Sequence, residues 1–300
     1  MRTDGIYVEA RIRADTAELW RLTQTPDLHE RWDLRFSEIR YLPRASEAEP
    51  QRFRYSTRLG FGLRIDGWGE SVGTKADEHG RGTSALEFGS DDSKSLIRSG
   101  AGYWKYVPDG DVVRFITGYD YEPRWGALGR VIDRLAFRPL IGWATAWSFD
   151  RLRLWAERGI DPALSAERAL VHSGARIAVA LVWLYHGLVP KLLFPHPAES
   201  AMLISSGVPE AVAVPLVGWI GLAEVLLGLL LLTGRAARPL LLLTALLMIV
   251  AAATVVITTP GFALAPFNPI TLNFAVLALA FIGWRTAKDL PSARRCARRP

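Results

Sequence analysis

A single cysteine, Cys296, stands in a chain of 300 residues. That scarcity excludes an intrachain disulfide framework and a metal cluster built on cysteine. The first 168 residues also lack any surplus of charge: 26 Lys and Arg are matched by 26 Asp and Glu. The formal charge of +6 therefore arises entirely after residue 168, where 10 basic and 4 acidic groups punctuate long apolar runs. With no basic excess on the polar half, nucleic-acid binding is disfavoured. The opening MRTDGIYVEA has no apolar stretch, so no cleavable signal peptide is expected and the first half is expected to stay cytoplasmic. Motifs of catalysis are missing as well. There is no nucleophile elbow, no zinc-type histidine pair and no glycine-rich loop leading into a helix. GWGESVG falls among strands, and Asp91–Asp92 reads as a solvated turn. His29 and His79 stand in charged surroundings and are expected at the surface. No catalytic or metal-ligating residue is assigned, and the question of an enzymatic role stays open.

What the second half does have is length without polarity. A membrane span needs about 20 mainly apolar residues. Four stretches qualify: about Ile177 to Phe194, Val212 to Thr233, Pro239 to Thr258, and Ile270 to Trp284, the last extended by FALAPF. Runs such as PLLLLTALLMIVAAATVVIT have no polar face, which soluble helices normally keep. Basic residues mark one side of the membrane. Arg168 and Arg176 precede the first span, Arg235 and Arg238 sit between the second and third, and six Lys or Arg follow the fourth. The two other loops, PHPAESAMLISSGVPEA and TPGFALAPFNP, carry none. A multi-pass protein of the cell inner membrane is expected, with both termini cytoplasmic. In the first outer loop, Pro197 should open a short interfacial helix that Gly207 ends.

Polar groups inside such spans are costly and tend to face a bundle interior. His186 and Lys191 on the first span, Glu224 near the middle of the second, and Asn268 and Asn273 at the start of the fourth form a candidate intramembrane polar site. Quinone or proton binding is one reading of them. An interhelical hydrogen-bond network, with Lys191 snorkelling to the interface, is the other. The stretches VWLYHGLVPKLLFPHPAESAMLISSG, GLAEVLLGLLLL and APFNPITLNFAVLALAFIG resemble the DoxX-like membrane family over about residues 170–286. The resemblance implies a four-helix integral membrane domain. Some members are small subunits of quinone-linked sulfur oxidoreductases, which implies a possible quinone cofactor and a possible membrane oxidoreductase partner.

The first half alternates. Ile6, Val8, Ala10 and Ile12 share one parity, as in a half-buried strand. A helix capped near Asp15–Thr16 follows and is interrupted at Pro26. Strand-like segments then run from FRYSTRLGF to DVVRFITGYDYE, the last two joined by the turn Pro108–Asp111. A long helix over about Ala127–Arg158 closes the half, with a kink expected at Pro139. This order of elements is an α+β layout. IYVEARIRADTAELWRLTQTPDLHERWD and GYDYEPRWGALGRVIDRLAFRPLIGWATAWSFDRLRLWAERG resemble the SRPBCC superfamily, the START and polyketide-cyclase-like helix-grip barrels. That implies a curved antiparallel sheet over a long C-terminal helix, with an apolar cavity between them. Tyr55, Trp68, Trp104, Phe115 and Tyr119 are the candidate cavity residues, although plain core packing explains such aromatics equally well.

The expected organisation is an SRPBCC-like cytoplasmic domain at 1–160, a linker at 161–168 in which Ser165 caps the next helix, a DoxX-like four-helix bundle at 169–287, and a basic tail at 288–300. The leading expectation for function is binding of a hydrophobic small molecule or lipid by the cytoplasmic domain and its presentation to the bundle. A quinone-interacting oxidoreductase subunit and a structural interaction module are the alternatives.

Overall fold

A computed structural model describes residues 5–46, 49–76 and 81–300. The chain divides into two compact units. One holds residues 1–165 together with 291–300, and the other holds 166–290.

The first unit is an α+β helix-grip domain. Seven antiparallel strands form one sheet in the order β1-β7-β6-β5-β4-β3-β2. They are β1 (Ile6–Ile12), β2 (Glu38–Tyr41), β3 (Arg52–Gly60), β4 (Leu63–Ala76), β5 (Gly82–Gly89), β6 (Ile97–Asp109) and β7 (Val112–Pro123). Between β1 and β2 lie α1 (Thr16–Gln24), capped by the Asp15 carboxylate on Ala17 N, and α2 (Pro26–Trp32). After β7 come α3 (Gly126–Ile132), a π-helical turn at Asp133–Phe137, and α4 (Arg138–Arg158). Pro139, where a kink is expected, directly follows that π-helical turn at the start of α4, and the backbone stays helical through the junction.

Register decides which side chains face α4. Ile6, Val8, Ala10 and Ile12 pair with Tyr119, Thr117, Phe115 and Val113, so all eight point to the concave face. With Trp32, Trp104, Tyr106, Phe149 and Leu152 they build the core. Phe115 stacks on Phe149 with ring centroids 4.6 Å apart, and Trp32 meets Phe149 edge-on at 5.9 Å. The α4–α5 join is fixed to this domain by buried Arg151, whose guanidinium donates to the carbonyls of Arg31, Trp32 and Pro162.

Residues 291–300, within the basic tail expected at 288–300, belong to this domain. Glu9 and Ala297 exchange two backbone hydrogen bonds of 2.9 and 3.0 Å along the outer edge of β1. Ser292 N and Arg295 donate to the buried Asp150 carboxylate, and Cys296 is buried against Ala146. The segment after Gly159 is helical from Pro162, not a loop. Asp161 accepts from Ala163 N at 2.7 Å and does the capping expected of Ser165, which lies inside the helix.

The second unit is helical: α5 (Pro162–Gly187) runs into it and continues through a π-helical turn to Leu193, followed by α6 (Pro197–Ser205), α7 (Glu210–Thr233), α8 (Ala237–Thr258) and α9 (Pro269–Thr286). Among the described residues, four helices are long and apolar enough to cross a membrane: Pro162–Leu193, α7, α8 and α9. The short outer-loop helix α6 opens at Pro197 as expected, with His196 as its cap and Gly207 in the left-handed region after it. Small residues bring α5 and α7 close together. A Cβ on Gly187 would lie 2.5 Å from Gly221 O, and one on Gly228 would lie 2.9 Å from Ala180 O. Trp183 donates to Thr244 at 3.0 Å, tying α5 to α8.

Candidate functional site

Each unit holds one arrangement with chemical potential. In the α+β domain, residues His29, Trp32 and Asp33 share one face of α2 and its C-terminus. His29 was expected at the surface, yet it lies between Trp32, Phe36 and Trp104 at centroid distances of 4.9–5.1 Å. Its Nε2 meets Asp33 Oδ2 at 3.1 Å, and Arg35 grips the same carboxylate with bonds of 2.9 and 2.6 Å. Burial would raise the Asp33 carboxyl, but Arg35 and His29 outweigh it and hold it well below the usual range. Burial lowers the His29 imidazole despite the pull of Asp33. The Arg35 guanidinium lies 5.5 Å over the Tyr119 ring. His79 falls outside the described residues.

The five aromatic candidates do not share one environment. Trp104, Phe115 and Tyr119 are concave-face residues packed into the core, where Tyr119 also meets Thr145 Oγ1 at 2.8 Å. Tyr55 is concave-facing and half-buried, edge-on to Phe36, and burial pushes its hydroxyl to about 12. Trp68 is on the opposite face and 38% exposed. The reason is spatial: Gly67 and Gly69 take the concave positions of β4, because the Tyr55 and Phe53 rings lie where their Cβ atoms would be, 2.2 Å away in each case. Phe53, Tyr55 and Leu86 stay outside the packed core and are half-buried, so the β3–β5 half of the concave face is apolar and incompletely covered. The glycines that flatten this surface were the signal to read, alternating with Trp68 in DGWGE.

In the helical unit, the α5–α7 contact places Lys191 beside Glu224, with Nζ 3.1 Å from Oε2. A second carboxylate, Glu199 on α6, approaches the ammonium at 3.3 Å. Glu199 was not among the expected residues, although it is the one acidic group of the helix after Pro197. His186, Glu199, Phe267 and Asn268 line a cleft of about 580 Å³. Asn268 is occupied in capping α9 through Thr271 N. Asn273 lies further along α9, outside the cleft lining. Four of the five expected polar residues thus gather at one end of the bundle, and among the described residues no group of three or more metal-ligating side chains occurs.

Residues 180–281 match the model of the DoxX-like family. The α+β domain is similar to a STAR-related lipid transfer protein fragment from Xanthomonas axonopodis, at 16% identity and a TM-score of 0.37 over 49% of this chain and 82% of that one. It is similar also to the Zhui aromatase/cyclase of Streptomyces sp. R1128, at 11% identity and a TM-score of 0.35 over 51% and 98%. The chain is 48% identical over 188 residues to the uncharacterized membrane protein YndG of Bacillus subtilis (strain 168), an alignment covering 62% of this chain and 70% of that protein. With its DoxX-like segment and four spanning helices, this integral membrane protein belongs to the same family as YndG.

Proposed function

We propose that the α+β domain binds a hydrophobic small molecule or lipid on the β3–β5 half of its concave face, and that the helical bundle keeps this binding domain at the membrane. One observation carries the reading. Phe53, Tyr55 and Leu86 remain half-buried over a glycine floor while the rest of the concave face is packed shut. Apolar concave surface with a few polar groups at its margin is the usual form of a small-molecule site. The membrane is the cell inner membrane and both termini are cytoplasmic in this reading. Support comes from the Lys and Arg residues gathered on one side of the spans. The pairing of Glu9 with Ala297 adds to it, since two segments that hydrogen-bond share a side and require an even number of crossings.

Native mass spectrometry of the full chain, delipidated and then exposed to lipid extract, tests the proposal. A bound small molecule is expected on the unchanged protein and is expected to be lost in Gly67→Ala, whose new Cβ displaces the Tyr55 ring. Tyr55→Leu, which leaves the floor intact, should weaken binding without loss of fold. Absence of any bound species on the unchanged protein would sink the reading.

A further inference from the structure

The helix from Trp125 to Trp143 is built inside out for a water-soluble domain. Its inward positions recur every four residues: Gly129 and Asp133 are buried, and Phe137 and Ile141 pack on the core. Between them, Leu128, Val131, Leu135, Leu140 and Trp143 project outward, with Leu135 75% exposed, and Trp125 stands exposed at the start. A soluble surface helix normally turns polar side chains to that face. The charged residues that remain exposed here are Arg130 and Arg134. The one acid of the stretch, Asp133, is buried and consumed by Tyr121 at 2.5 Å and Arg138 at 2.9 Å. At 1.5 Å per residue the apolar stripe is about 27 Å long.

We propose that this stripe lies in the headgroup–acyl boundary of the bilayer that the same chain spans. Three features select a lipid surface over a protein partner. The apolar side chains are aliphatic with a tryptophan at each end, the composition enriched at membrane interfaces. The exposed charge is basic only, complementary to anionic headgroups. And only Gly159, Ile160 and Asp161 separate α4 from the first spanning helix, so the bilayer is always within reach of this domain. An amphipathic helix with Lys or Arg beside an aliphatic and aromatic face binds in this plane. The contact does not depend on the concave face having a ligand.

The test uses full-length protein in nanodiscs, with Cys296→Ser and a single new cysteine at Leu135→Cys carrying a bimane label. Nitroxide placed high on the lipid acyl chain should quench this label about threefold more than the same label at Glu87→Cys, an exposed position on the outer face of β5. Exchanging neutral for anionic lipid should strengthen the quenching, and Arg130→Glu with Arg134→Glu should remove that gain. Quenching at Leu135 no greater than at Glu87 would overturn the proposal. So would oxidant-driven disulfide crosslinking between copies of the unlabelled Leu135→Cys variant together with no lipid quenching of the labelled one, which would make the stripe a dimer face instead.

Discussion

Replacing Asp150 with alanine should free residues 291–300 from the α+β domain, and Cys296 should report it. The Asp150 carboxylate is fully buried and takes three donors: Ser292 N at 2.7 Å, Arg295 Nη1 at 2.9 Å and Arg153 Nε at 2.7 Å. Two of the three come from the tail. A hydrogen bond to a charged group contributes roughly 1.5–3 kcal/mol. Half-exposed Arg295 adds little to that, because solvent screens it. The Ser292 bond therefore sets the scale. Losing about 2–3 kcal/mol raises the open-tail population roughly 30- to 150-fold. Cys296 is the chain's one cysteine, and burial, aided by Asp150, pushes its thiol up to about 12. Once released, a thiol returns to about 8.5. A thiolate-specific reagent used near pH 8 then labels in proportion to the open population. Full-length protein in nanodiscs is the material, and tryptophan fluorescence monitors general unfolding. Ser292→Pro is the companion variant: it deletes that N–H and opposes the extended φ of −147° at this position, yet leaves Asp150 paired with Arg153, so it separates tail release from a disturbed core. Labelling within about twofold of the unchanged protein in both variants would refute the reasoning.

The buried His29 makes stability depend on pH. Burial sets its folded value below the unfolded one of about 6.5, so the unfolded chain binds more protons and stability falls as pH drops through that value. Thermal unfolding followed between about pH 7.5 and about pH 5.5 should show the decline, and His29→Gln should flatten it; an equal slope in both proteins would remove His29 as its source. In the bundle, Lys191→Met strands Glu199 and Glu224 without their shared cation and should cost about 3 kcal/mol. Adding Glu224→Gln to Lys191→Met should recover much of the lost thermal stability in detergent. Additive losses in the double variant would mean that the pair is not coupled.

Much of this architecture was legible because it depends on local periodicity. The alternation at Ile6–Ile12 and the turn at Pro108–Asp111 gave the first strand and the last hairpin, and unbroken apolar runs gave α7, α8 and α9 within a few residues of their ends. What was not legible depends on long-range partners. Nothing in PSARRCARRP has a period, and its docking is decided by a carboxylate some 140 residues earlier. His29 sits in the charged string DLHERWD, yet its i+3 and i+4 neighbours, Trp32 and Asp33, mark the helix face that turns inward. Trp68 is a cavity candidate by its bulk, but the glycines on either side of it hold the concave positions and turn its ring to the other face. Lys191 and Glu224 were both visible. Their meeting rests on close helix contact at Gly187 and Gly221, and Glu199 joins them from a loop helix that reads only as interfacial.

Because the last ten residues complete the domain that the first 165 begin, that domain is an interrupted unit with a membrane bundle inserted into it. The edge of β1 stays bare until the segment that follows the final span has been made. A chain inserted with three crossings, or five, would strand its tail across the bilayer and keep that edge open, a template for aggregation and proteolysis. The pairing of Ala297 with Glu9 thus requires an even number of crossings between them, which ties closure of that strand edge to the span count.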